Sequence, residues 1–132
     1  MKNVIFIVFF VSFYSYSQTS KKTVYVKHIN EEIQVDGILD ESSWADVVPA
    51  KNFFQYFPTD TVQAKSQTEI KFMFDDRNLY VGIKVYAKGK DYIVPSLRRD
   101  FRAGGSDNIT LMFDTFNDGT NAFVFGSNPF VP

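Results

Sequence analysis

Three groups of residues have types and spacings that could do chemistry: the adjacent carboxylates Asp40-Glu41, the acidic stretch Asp114 to Asn121, and the cationic cluster Arg98-Arg99 with Arg102. A hydrolytic carboxylate pair must flank the scissile bond at a separation of ~5–10 Å, whereas Asp40 and Glu41 are sequence neighbours at the head of a helical turn. Capping suits them better than catalysis. His28 is the only histidine and there is no cysteine, so neither a nucleophile-base triad nor a zinc cluster can be assembled, and no Gly-x-Ser-x-Gly occurs. Asp114, Asn117, Asp118 and Gly119 crowd together like a calcium loop. However, Phe116 stands where such a loop needs an oxygen ligand and Phe125 where it needs a bidentate glutamate, so a hairpin turn is the better reading. A looser calcium site at Asp107 stays open. Arg98, Arg99, Asp100 and Phe101 form a charged and aromatic stretch whose donors suit hydroxyl groups, with an ordinary solvated loop as the competing reading. The chemistry on offer is polar recognition rather than bond breaking.

These groups must be carried by strands and turns. Ile33 and Val35 alternate with Gln34 and Asp36, as in a half-buried strand, and Asp36-Gly37 supplies the turn that ends it. Asp40 has the chemistry of an N-cap. Trp44, four residues on, is then aimed back at the strand around Val35, which predicts a core residue rather than an exposed sugar-stacking platform. Thr23 to Ile29 alternates, with Val24 and Val26 on one face, and predicts a first strand. Asn52 to Phe57 reads as a strand or extended edge stopped by Pro58, before a polar loop to Gln67. Thr68 to Phe74 sets Ile70, Phe72 and Phe74 against Glu69, Lys71 and Met73. Asp75-Asp76-Arg77-Asn78 turns the chain, and Leu79 to Tyr86 returns with Leu79, Val81, Ile83 and Val85 on one side. An antiparallel hairpin follows, with those apolar faces expected to form the core. A long excursion from Ala87 to Gly105 carries the arginines. Ile109, Leu111 and Phe113 mark the next strand, Asn117 to Thr120 a second hairpin turn, and Phe123 and Phe125 the strand that comes back.

Composition narrows the function classes. Residues 1–17 read as a secretory signal peptide: Lys2, an apolar run from Val4 to Tyr14, and Ser15-Tyr16-Ser17 as a small-x-small cleavage site. The run falls short of the ~20 residues a spanning helix needs. Export to the periplasm, outer membrane or cell surface is expected, with residues 18–132 as one domain. Loss of Lys2 moves the formal charge from −1 to −2, and Asp100 interrupts the one cationic cluster, so nucleic acid is set aside as a partner. Without cysteines the fold rests on its core, for which an aromatic content of 17% is ample.

The run Asp36-Gly37-Ile38-Leu39-Asp40-Glu41-Ser42-Ser43-Trp44 resembles the Asp-Gly-x-x-Asp-Glu-x-x-Trp signature of family 9 carbohydrate-binding modules. Two later blocks resemble that family as well: Ile70 to Asp76 followed by Asn78-Leu79-Tyr80-Val81-Gly82, and Asp107 to Asp114 followed by Ala122 to Asn128. The resemblance implies an all-β, immunoglobulin-like antiparallel β-sandwich, and a non-catalytic module that binds a polysaccharide or oligosaccharide in service of carbohydrate breakdown. Asp36, Gly37, Asp40 and Trp44 would be structural, while Arg98, Arg99, Phe101 and Asp107 are the candidate sugar-binding residues. Such modules also bind structural calcium. The family has further strands after the position where this chain stops, so the sandwich is expected to be incomplete at its C-terminus, as part of a longer parent with a barrel-like C-terminal region. Hydrolase activity of that parent stays open. One of the two tryptophans that hold sugar in the family would stand just before the Asp107 strand, where this chain has Gly104, and an arginine of that site would fall near Phe125. Those departures support an alternative, a structural sandwich domain that has lost its sugar and packs on the rest of the longer protein.

Overall fold

The computed structural model describes residues 22–89, 92–100 and 102–130. The fold is all-β: five strands, with one four-residue helical turn among the described residues. The chain divides into two compact units. The first holds the described residues up to Lys51 together with Glu69–Lys84, and the second holds Asn52–Thr68 and the described residues from Val85 onward. Residues 1–17, expected to be a signal peptide, lie outside the described residues. No helix among the described residues is long and apolar enough to cross a membrane.

The first unit is built on the hairpin of β2 (Thr68–Phe74) and β3 (Leu79–Val85), with β1 (Lys27–His28) on the other side of β2. Both long strands are rich in β-branched and aromatic residues, and the turn between them is too short for a parallel crossover, so they run antiparallel. Asp75 makes that turn. Its carboxylate accepts bonds from the amides of Arg77 (2.7 Å) and Asn78 (2.6 Å) and from the Tyr80 hydroxyl (2.8 Å), while its own amide donates to the Asn78 carbonyl. β1 pairs with β2 in parallel, Lys27 opposite Met73 and His28 opposite Phe74, so the sheet is mixed and not wholly antiparallel as expected.

Of two expected strands, one forms only in part and the other does not form. Only Lys27 and His28 of the stretch from Thr23 to Ile29 are strand, and Val24 and Val26 are exposed. Ile33 to Val35 has no strand partner, and Val35 is 89% exposed. Trp44 therefore does not close against Val35. At 4% exposure it packs with Ile29, Val47 and the fully buried Met73, and Ile33 and Tyr80 flank this cluster. The tryptophan ring lies directly over Gly82 of β3: a Cβ on that residue would stand 2.8 and 2.9 Å from two ring carbons and 3.1 Å from Leu39 Cδ1. The closed face of the hairpin is thus the one carrying Met73 and Gly82. The opposite, more apolar face is the one expected to form the core, yet it leaves Phe74, Leu79 and Val85 exposed. Volume decides this, because only the glycine leaves room for an indole against the sheet.

The helical turn α1 (Ser42–Ala45) is also capped differently from expectation. Glu41, not Asp40, occupies the N-cap position, and its side chain makes no capping bond. Instead Glu31 reaches in from eleven residues upstream, accepting bonds from the Ser43 amide (2.9 Å) and from both serine hydroxyls. The Ser43 hydroxyl and amide hold the Glu31 carboxyl below its ordinary pKa. At the other end the Lys71 ammonium donates to the Trp44 carbonyl, which ties β2 to the turn. Asp36 and Gly37 do form the expected turn: the Asp36 carboxylate accepts from the Ile38 amide at 2.8 Å, and Gly37 has φ +85°.

The second unit contains the antiparallel pair β4 (Ile109–Phe113) and β5 (Phe123–Ser127), in register from Ile109 opposite Ser127 to Phe113 opposite Phe123. Asp114 and Asp118 build the connecting turn, as the hairpin reading expects. Asp114 accepts from the amides of Asp118 and Gly119, and Asp118 from those of Thr120 and Asn121, with Asn117 and Gly119 at positive φ. The aromatic stretch Asn52 to Phe57 forms no strand but a single antiparallel bridge, Phe54 with Gln63, and Tyr56 and Phe57 are exposed.

Candidate binding site

The long excursion before β4 is a clipped loop with its arginines at the tip. Asp107 closes its base through two bonds to Ile93: the Asp107 amide donates to the Ile93 carbonyl (2.7 Å), and the Ile93 amide donates to the Asp107 carboxylate (2.8 Å). Asn108 adds a second tie, its side-chain amide donating to the carbonyls of Ala103 (2.8 Å) and Ser106 (2.6 Å). At the tip the Arg98 amide donates to the Ser96 hydroxyl, and the chain turns with Asp100 at φ 60° and Gly105 at φ +85°. The loop thus has internal bonds at both its base and its tip. That limits the entropy lost when it meets a ligand.

A hollow of about 410 Å³ opens on this loop, lined by Arg98, Arg99 and Arg102 together with Asp100, Ser96, Pro95, Gly104 and Ser106. The hollow is open to solvent, so a ligand would lie on the loop rather than be enclosed by it. Three arginines and one aspartate line it among the described residues, and none of the three arginines makes an ion pair or side-chain hydrogen bond among the described residues. The Ser106 hydroxyl is buried and lacks a hydrogen-bond partner among the described residues. Fifteen N–H donors on three arginines, against one acceptor carboxylate, suit a ligand rich in oxygen.

Of the expected sugar-binding residues, Arg98 and Arg99 are brought together here, and Phe101 lies outside the described residues. Asp107 is not part of the lining. Its carboxylate is spent on the Ile93 amide, which makes it a positioning residue of the loop. Arg102 belongs to the hollow as much as its neighbours do, and its place in the cationic cluster was the signal for it. Ser106 and Gly104 carry no such signal, because a small residue in a loop announces neither burial nor exposure. No group of three or more histidine, aspartate or glutamate side chains is placed to hold a metal ion among the described residues. Asp114 and Asp118 point their oxygens at turn amides, and the Asn121 side-chain amide, followed by the backbone amides of Asn121 and Thr120, holds the Asp118 carboxyl well below the usual carboxylate range. No family model, curated protein or solved structure matches the chain.

Proposed function

We propose that this chain is a non-catalytic carbohydrate-binding module of an exported protein, built as an immunoglobulin-like β-sandwich of the family 9 kind, and that it takes glycan at the arginine loop. One observation carries the reading: Arg98, Arg99 and Gly104 line a single hollow. Gly104 stands where the resemblance puts a sugar-stacking tryptophan, and open space lies where its Cβ would be. The position is thus on the lining even though its residue has changed. Guanidinium forks donate paired hydrogen bonds to vicinal hydroxyls, and the loop presents three of them without internal partners. Among the described residues the hollow offers a single carboxylate, Asp100, whereas glycoside hydrolysis needs two, which supports a binding role. Calorimetry of the full chain against neutral and acidic glycans tests this. Saturable binding that is lost in Arg98→Ala and Arg99→Ala supports it, and no heat with any glycan refutes it.

A second reading has its own observation. Phe123, Val124 and Phe125 of β5 are 54%, 56% and 59% exposed, so neither face of that strand is closed, and β5 pairs only with β4 among the described residues. An uncharged apolar strand with an open edge invites another strand, which is the behaviour of a structural domain that packs on the rest of a longer protein. That reading fails if the longer protein binds glycan and loses it on changing Arg99 and Phe101 to Ala.

A further inference from the structure

We infer that the ligand of this loop is an anionic glycan, a saccharide bearing carboxylate or sulfate groups. The inference rests on the binding-module reading and names its substrate class. Among the described residues the hollow is lined by three arginines and one carboxylate, Asp100. Arg98, Arg99 and Arg102 have no ion-pair partner among the described residues. The Asp107 carboxylate is not part of the lining and is held on the Ile93 amide. A site for neutral sugar spends its recognition on aromatic faces and mixed donors and acceptors. Here the side chains of the described lining residues are mostly donors.

Three arginines on one loop raise the local positive potential, which favours an anion there. Guanidinium is the group best matched to this task. Its planar fork meets two oxygens of a carboxylate or sulfate at once, and such charge-assisted pairs are roughly twice as strong as neutral hydrogen bonds. Distributed along a polymer, the same groups would also give the site electrostatic steering that weakens with salt.

The test is calorimetry of the full chain at physiological ionic strength with polygalacturonate, sulfated dextran, xylan, cello-oligosaccharides and polyglutamate. Polygalacturonate or sulfated dextran should bind at least about ten-fold tighter than either neutral glycan, and which of the two binds tells carboxylate from sulfate. Arg99→Gln and Arg102→Gln should each weaken that binding about ten-fold or more, the worth of a lost charge-assisted bond. Arg99→Lys should recover it only in part, because the charge returns without the fork. Unchanged circular dichroism and urea melts of the variants report that the fold is intact. Xylan or cello-oligosaccharide bound as tightly as the acidic glycans overturns this inference and leaves the binding module standing. No binding to any glycan overturns the module reading itself. Equal binding of polyglutamate overturns the assignment to sugar, and acidic-glycan binding that survives both glutamine changes overturns the assignment to this loop.

Discussion

Gly82 and Trp44 form the contact on which the first unit closes, and a double-mutant cycle measures it. A Cβ at position 82 would lie 2.8 Å from the nearest Trp44 ring carbon, closer than real Cβ contacts come, so Gly82→Ala forces the indole outward by several tenths of an ångström. The ring is 4% exposed and surrounded by Ile29, Val47 and Met73, which leaves it no free direction. Overpacking of this kind costs ~1–3 kcal/mol, offset in part by the ~0.5–1 kcal/mol by which alanine outperforms glycine in a strand. Trp44→Ala should cost ~3–5 kcal/mol through the cavity it leaves, a large share of a small domain's ~5–15 kcal/mol. Once the ring is gone the clash is gone too. Gly82→Ala made in the Trp44→Ala background should then be neutral or stabilising, so the two changes couple by about 1–3 kcal/mol. Urea melts followed by circular dichroism serve all four proteins, since two of them lack the tryptophan; if Trp44→Ala alone fails to fold, Trp44→Phe replaces it in the cycle. The reasoning is refuted if Gly82→Ala melts within about 0.5 kcal/mol of the parent, or if the two costs simply add.

The remaining predictions concern the caps, the turns and the loop. Glu31→Ala should lower the urea midpoint more than Asp40→Ala, because Glu31 holds the Ser43 amide while Asp40 does not cap α1; the opposite ranking would return the cap to Asp40. Asp75 and Asp118 are both held below the ordinary aspartate value of 3.8, Asp75 chiefly by the Arg77 amide and the Tyr80 hydroxyl, and Asp118 by Asn121. A depressed folded-state pKa means that the stability they add is complete above pH ~4 and is lost as pH falls below it, so Asp75→Asn and Asp118→Asn should flatten the acid limb of a melt-versus-pH curve. Asp107→Ala should speed hydrogen exchange at the Ile93 amide and weaken glycan binding, even though Asp107 does not line the hollow; unchanged exchange would show that the clip does not hold the loop.

What could be read directly from the residues was local. Period-two alternation located β2 and β3 within a residue, and β4 and β5 around Ile109 to Phe113 and Phe123 to Phe125. Turn chemistry located the reversals at Asp36-Gly37, Asp75 to Asn78 and Asp114 to Asn121, because an aspartate that bonds amides two or three residues ahead needs nothing from the rest of the chain. The arginine cluster was visible because three like charges within five residues are conspicuous wherever the loop goes. The stretches at Thr23 to Ile29 and Ile33 to Val35 carry the same alternation, yet they form little or no strand. Alternation marks a chain that could pair, and pairing also needs a free edge in reach.

The tertiary structure alone decided the rest. A period of two separates the faces of a strand without saying which one is covered, and counting apolar residues chose the face with Ile70, Phe72 and Phe74. The covered face carries Met73 and Gly82, because the largest side chain of the unit fits only where the sheet lacks a side chain. Glu31 took the cap from Asp40 for a similar reason, since reaching the Ser43 amide depends on where the chain passes and not on spacing along it. Asp107 was legible as an important acidic residue, but its partner Ile93 lies fourteen positions away, and only the folded loop turned a ligand candidate into a clip. Sequence thus determined which segments could be strands and turns, for those depend on neighbours along the chain. Which surfaces meet depends on volume and reach between distant residues, and that was settled only when Trp44 found the space over Gly82.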